Sequence, residues 1–170
     1  MLRGLNVITS RSESLSRFIG AYARLARLPR PQLQPLEVAA WVRRAASLET
    51  RLRVEVADGG AATVQGDRDQ LEQVLINLLR NAADASLPTG GKVSAGWRPS
   101  GAMLEVWVAD EGPGLSSTAN LFVPFFTTKP GGSGIGLVLS RQIAESHGGS
   151  LMLENRTDRE GCVARLRLPA

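Results

Sequence analysis

Asp110-Glu-Gly-Pro-Gly114 and, across a short gap, Gly132-Ser-Gly-Ile-Gly136-Leu137 form the stretch whose reading decides the fold of this 170-residue chain. Upstream, residues 103–109 alternate as a strand, with Leu104, Val106 and Val108 on one face. Asp110 continues that face past the strand end, so its carboxylate is expected to point inward where the chain turns. An acid so placed can accept a hydrogen bond from an exocyclic amine such as that of adenine. Downstream, residues 137–145 read as a helix, and N–H groups at its start suit phosphate oxygens. Two glycine-rich turns around one short segment therefore suit a nucleotide held at base and phosphates. Singly each is weak, because an Asp-x-Gly-x-Gly is more often an ordinary turn after a strand. The spaced glycines also differ from a dinucleotide fingerprint, since a proline-punctuated loop, 121–131, precedes them instead of a strand.

A third element lies further upstream. Residues 69–86 read as an amphipathic helix with Leu71, Val74, Leu75, Leu78 and Ala82 on its apolar face. Asn77 and Asn81 are four apart and share another face, with Asp84 one turn on. Two asparagines within a helix are costly unless they serve something, and a merely solvated face would carry Lys and Glu. A carboxamide oxygen is a hard neutral ligand suited to Mg²⁺, which takes its remaining ligands from water and nucleotide phosphates.

In this order and spacing the motifs resemble the ATP-binding domain of sensor histidine kinases, a branch of the GHKL superfamily with the Bergerat fold that also holds chaperone, gyrase and mismatch-repair ATPases. Asn77 and Asn81 match its N-box, and Asp110, Gly112 and Gly114 its first glycine box. Phe122-Val-Pro-Phe125 matches the F-box and Gly132-Ser-Gly-Ile-Gly136-Leu137 the second glycine box. Residues 143–151, Gly161 and the closing 166–169 also follow the pattern, so the resemblance covers roughly residues 35–169. Thr127-Thr-Lys-Pro130 and the Asn-Ala-Ala-Asp-Ala run beginning at Asn81 are similar to nitrogen-regulation-type sensors.

The resemblance implies ATP and Mg²⁺ as cofactors. Asp110 is expected to bind the adenine amine, Asn81 to be the main Mg²⁺ ligand and Asn77 a second ligand or water-positioning group. Thr127, Thr128 and Lys129 stand at the hinge of a lid, residues 115–131, within reach of phosphates, and Lys129 joins Asn77 and Asn81 as a catalytic candidate. Leu115, Phe125, Ser133, Gly134, Ile135 and Leu137 complete the expected nucleotide contacts. Phe122, Phe125 and Phe126 are expected to anchor the lid. At two positions the chain departs from the pattern. Asp84 stands where many sensor kinases have a phosphate-contacting Lys, so Arg80 or Lys129 is expected to supply that charge. Gly161-Cys162 replaces a Gly-Thr pair, which leaves the adenine network to lean on Asp110 and water, since a thiol is a weak donor and acceptor.

Leu5, Ile8, Ser12, Leu15, Ile19, Tyr22 and Ala26 keep a heptad seam, which a lone helix cannot bury. By resemblance, residues 1–30 are the second helix of a dimerisation and phosphotransfer hairpin, ended by Leu28-Pro-Arg-Pro31. The family's phosphoacceptor histidine is expected on a preceding helix. The one histidine here, His147, is followed by Gly148-Gly149 and is expected to end a helix. A homodimer and a response-regulator receiver domain are the implied partners.

The composition agrees: one cysteine leaves no internal disulfide framework, and no stretch approaches a membrane span. A cytoplasmic location is expected. The net charge of +4 comes from scattered arginines without an aromatic recognition motif, so nucleic acid is not an expected partner. The expected fold is an α/β two-layer sandwich with a mixed sheet. Strands are placed near 51–57, 61–65, 92–98, 103–109, 150–155 and 162–168, and helices near 36–48, 68–86 and 135–147 on one face, with Pro35-Leu36 opening the first. The competing functions are a clamp-type ATPase, which by family pattern has Glu at the Asn77 position, and an ATP-binding module without turnover.

Overall fold

A computed structural model describes residues 28–127 and 132–170, together with the isolated positions 12, 19, 20 and 23. The N-terminal seam and residues 128–131 of the lid therefore lie almost wholly outside the described residues. Ser12, Ile19, Gly20 and Ala23 are helical and exposed.

A five-stranded sheet carries β2 (Val54–Ala57), β4 (Val93–Ser100), β5 (Met103–Asp110), β7 (Cys162–Pro169) and β6 (Ser150–Asn155) side by side in that order. It is mixed, with β2 parallel to β4 and the other pairings antiparallel. β1 (Gln34–Glu37) and β3 (Thr63–Gly66) form a separate antiparallel pair. Three helices, α1 (Val38–Ser47), α2 (Arg68–Ser86) and α3 (Gly136–Ser146), cover one face of the large sheet. The result is the two-layer α/β sandwich expected. Its core joins Trp41 and Val42 of α1, Leu71, Leu75 and Leu79 of α2, and Ile143 of α3 to Val106, Leu166 and Leu168 of the sheet.

The helix starts follow from local chemistry. Asp67 caps α2 through Oδ1, which accepts from Asp69 and Gln70 N–H. Glu37 caps α1 by accepting from Ala39 and Ala40 N–H. That cap corrects the expected start of the first helix at Pro35-Leu36. Residues 34–37 pair with β3 instead, where proline's missing N–H is tolerated in a strand outside the main sheet. The expected strand at 51–57 is also shorter, because Arg51 to Arg53 precede β2 as a loop facing α2.

His147 caps α3 at its C-terminal end. Its Nδ1 meets the Ile143 carbonyl at 2.7 Å and its Nε2 accepts from Asp67 N–H at 3.0 Å. With Nε2 accepting from an amide, Nδ1 is the nitrogen that donates to the Ile143 carbonyl. The histidine thus joins the end of α3 to the start of α2. Asp67 Oδ2 in turn accepts from Gln32 N–H at 3.0 Å, and Gln70 Nε2 donates to the Pro29 carbonyl, which fastens the segment ahead of β1 to the same corner.

Candidate functional site

Between α2, the start of α3 and the lid lies a cleft of about 680 Å³ whose sheet side is formed by Val108, Asp110, Leu153, Cys162 and Ala164. That size suits a nucleotide-sized ligand. The sheet side is apolar apart from one acid. Asp110, 6% exposed, is the last residue of β5, facing inward on the alternation that buries Val106 and Val108. Its Oδ1 accepts from Gly112 N–H at 3.0 Å and from Cys162 N–H at 3.2 Å, so the carboxylate is oriented by backbone. Burial, reinforced by the Asp110 charge, pushes the Cys162 thiol up to about 12. It remains a thiol at neutral pH, a small apolar lining rather than a nucleophile.

α2 contributes Asn77, Arg80, Asn81, Asp84 and Ala85 to the cleft. Asn77 Nδ2 donates to Ser140 Oγ of α3 at 3.0 Å. Asp84 Oδ1 pairs with Arg51 Nη1 at 2.6 Å, and Arg51 also reaches Glu49 at 2.7 Å. A carboxylate at this wall would repel phosphate, but here it is paired with a guanidinium from the α1–β2 loop. The sequence offers Arg80 and Lys129 for positive charge at this wall, and nothing local in it points to Arg51 as the partner of Asp84. Arg80 lines the cleft with an exposed side chain, and Lys129 lies outside the described residues.

Gly114, Leu115, Thr127, Gly132, Ser133, Gly134, Gly136 and Leu137 line the remaining side. Gly112 is buried behind the lining against Ala85 of α2, and Ile135, 3% exposed, turns into the core at the N-cap of α3. An isoleucine offers no side-chain acceptor there, unlike the carboxylate caps of α1 and α2, so the positive end of α3 opens on the cleft. Phe125 holds a left-handed backbone, φ 66°, and donates its N–H to the Gly134 carbonyl at 3.0 Å. Gly134 is itself left-handed and so close that a Cβ would collide with the backbone of Phe125 and Phe126. The two sides of the lid are thereby joined at its base. Thr128 falls outside the described residues with Lys129.

The three phenylalanines divide their work. Phe122 is half-buried against the core with the Arg141 guanidinium 4.8 Å from its ring centroid. Phe126 corrects the expectation of lid anchoring, since it is 48% exposed and lines the cleft. Asn155, which sequence reading missed, clamps Leu115 twice. It accepts from Leu115 N–H at 2.6 Å and donates to the Leu115 carbonyl at 3.0 Å. Among the described residues the lid is therefore tied down at Leu115 and at Phe125.

The donor set fits a magnesium nucleotide. No group of three or more His, Cys, Asp or Glu side chains able to hold a metal occurs among the described residues. Two neutral carboxamides on one wall suit an ion that draws its other ligands from phosphate and water.

Comparison with known proteins agrees with this geometry. The family model described as histidine kinase-, DNA gyrase B-, and HSP90-like ATPase matches residues 66–170. The chain is 42% identical over 117 residues to the sensor protein FixL of Bradyrhizobium diazoefficiens, covering 66% of this chain and 23% of FixL. Among solved structures, the catalytic domain of histidine kinase ThkA matches with a TM-score of 0.70 at 30% identity, over 81% of this chain and 95% of that one. The structure of ThkA in complex with response regulator protein TrrA matches with a TM-score of 0.76 at 25% identity, over 98% of this chain and 50% of that one. The chain thus spans under a quarter of FixL's length. No helix among the described residues is long and apolar enough to cross a membrane.

Proposed function

Because the chain belongs to the histidine kinase-, DNA gyrase B- and HSP90-like ATPase family, we propose that it is the ATP-binding catalytic part of a two-component sensor histidine kinase. Residues 35–170 would be that domain and residues 1–30 part of a dimerisation and phosphotransfer helix. The γ-phosphoryl of ATP would pass to a histidine on a separate helix, and from there to an aspartate of a response regulator. A homodimer in the cytoplasm is the setting this reading implies, and ThkA's capture with a response regulator supports the relay.

In this reading Asp110 accepts from the adenine amine while its backbone contacts hold it still. Asn81 and Asn77 would hold Mg²⁺, which would supply charge neutralisation on the phosphates. Thr127 and Arg80, which line the cleft, would contact the phosphates, assisted by the open N-terminus of α3, and the family pattern adds Thr128 and Lys129 as candidates. Asp84 acts through Arg51. Phosphoryl transfer is mainly positioning and charge stabilisation, which this set can supply without a base for water.

The observation that carries kinase over hydrolase is the α2 wall. It presents to the cleft Asn81 and, where hydrolysing relatives are expected to have a glutamate, Asn77, and the one acid of this wall, Asp84, is engaged by Arg51. His147, the sole histidine of the sequence, is buried with both ring nitrogens hydrogen-bonded, so the acceptor lies elsewhere. The test is phosphate release from Mg²⁺-ATP by the chain alone. Binding without steady turnover is expected, and sustained hydrolysis would assign the chain to the clamp-type ATPases instead.

A further inference from the structure

Ser140 is 2% exposed in α3, a helix interior where serine is a mediocre choice unless its hydroxyl has work. Its Oγ accepts from Asn77 Nδ2, 63 residues away in sequence, at 3.0 Å. We propose that Ser140 is a positioning residue for Mg²⁺, fixing which end of the Asn77 carboxamide the cleft receives. The inference rests on the reading of Asn77 as a metal ligand or metal-water contact.

The two ends of an asparagine are nearly equal in shape and opposite in chemistry. Oδ1 can ligate a cation or accept from its water, whereas the NH₂ group can do neither. Asparagine χ2 is a soft torsion, so nothing intrinsic keeps the oxygen forward. A hydroxyl can accept or donate, so the orientation follows from two contacts with α3 taken together. Ser140 takes the nitrogen end, and the oxygen end lies against Gly136, so close that a Cβ at Gly136 would collide with Oδ1. Gly136 is the first residue of α3, where the helix is electropositive, and that favours the carbonyl oxygen over the amide nitrogen. Ser140 and Gly136 lie one helical turn apart, and the amide packs over Gly136 while its nitrogen bonds Ser140. The same helix begins in the second glycine motif, so the metal contact on α2 and the phosphate-facing end of α3 are set by one hydrogen bond. Partners that orient a ligand in this way are worth about tenfold to a hundredfold in metal affinity.

The test titrates Mg²⁺ into the chain saturated with a non-hydrolysable ATP analogue, followed by calorimetry, alongside the analogue's affinity without metal. Ser140→Ala should raise the half-saturating Mg²⁺ concentration by about tenfold or more and leave the metal-free affinity unchanged. Asn77→Ala should do the same, and the double variant should be no worse than Asn77→Ala alone. Without nucleotide or metal, the Asn77 side-chain NH₂ resonances should lose their exchange protection in Ser140→Ala. An unchanged Mg²⁺ titration in Ser140→Ala beside a shifted one in Asn77→Ala overturns the role of Ser140 and leaves that of Asn77 standing. An unshifted titration in Asn77→Ala overturns the metal role itself, and the proposal with it. Equal loss of metal-free affinity in Ser140→Ala would mark a merely structural contact and overturn the proposal. Should Ser140→Ala fail to fold, Ser140→Cys, a weaker acceptor of similar size, carries the same expectation in reduced degree, with an unshifted titration counting against it.

Discussion

At the sheet side of the cleft, Asp110 commits Oδ1 to the amides of Gly112 and Cys162, which fixes how the carboxylate faces the space lined by Val108 and Ala164. Asp110→Asn would have to keep its oxygen on those two donors and turn its NH₂ toward the ligand, where it meets adenine's own amine donor to donor. ATP affinity should fall by about 1.5–3 kcal/mol, the range for a hydrogen bond to a charged group. GTP should bind weakly to the parent chain, because its carbonyl faces the carboxylate. Calorimetry with both nucleotides checks this, and equal affinities would remove Asp110 from the role. Cys162, beside it, should react slowly with iodoacetamide at neutral pH, since its thiolate forms only near pH 12. Rapid alkylation in the folded chain would contradict the buried placement. Asp110 was legible because strand alternation aims it. Arg51, Ser140 and Asn155 were not. Their partners are 33, 63 and 40 residues away, and only the fold brings them together.

Among the elements, α2 was readable almost to the residue, since an Asp cap, a continuous apolar stripe and a following Leu-Pro-Thr turn all agree on its limits. The first helix was misplaced because Pro35 reads equally as a helix start or an edge residue, and the β1–β3 pairing that decides between them is not local. The lid was legible as a loop but not as a tethered one. Its short turns, such as Leu121 N–H to the Thr118 carbonyl at 3.4 Å, are weak by themselves, so the clamp at Asn155 matters. Asn155→Ala removes two hydrogen bonds, each worth about 1 kcal/mol. Amide exchange should quicken across residues 115–125 and stay unchanged in α2. A bound ATP analogue should slow exchange in the same stretch, and indifference to both perturbations would rule out a lid held at Leu115 and responsive to nucleotide.

Across the whole molecule, the sheet face away from the helices is fastened by one buried acid. Glu105, 1% exposed, meets Arg98 at 2.7 Å, Arg165 at 3.0 Å and Arg167 at 3.1 Å, which bridges β4, β5 and β7. Burial acts to raise its pKa, but the arginines outweigh burial and hold it below its ordinary value of 4.5. A carboxylate with a lowered folded-state pKa stabilises the fold above that ordinary value, and the stabilisation is lost as pH falls through the lowered one. Thermal stability should therefore decline below about pH 4.5. Glu105→Gln should lower stability at neutral pH by about 1.5–3 kcal/mol and flatten the acid limb, as read by melting temperature against pH. A parallel acid limb in the variant would show that other carboxylates govern it. The central claim, that this scaffold presents ATP to a histidine it does not itself carry, is tested most directly by phosphoryl transfer. The chain is incubated with Mg²⁺-ATP labelled at the γ-phosphate and with the acceptor helical hairpin supplied in cis or as a separate chain. Label that is acid-labile and base-stable should appear on the hairpin, fall in Asn81→Ala and be absent from residues 28–170. Label on this chain that disappears in His147→Ala, or a hairpin left unlabelled while ATP is consumed, would contradict it.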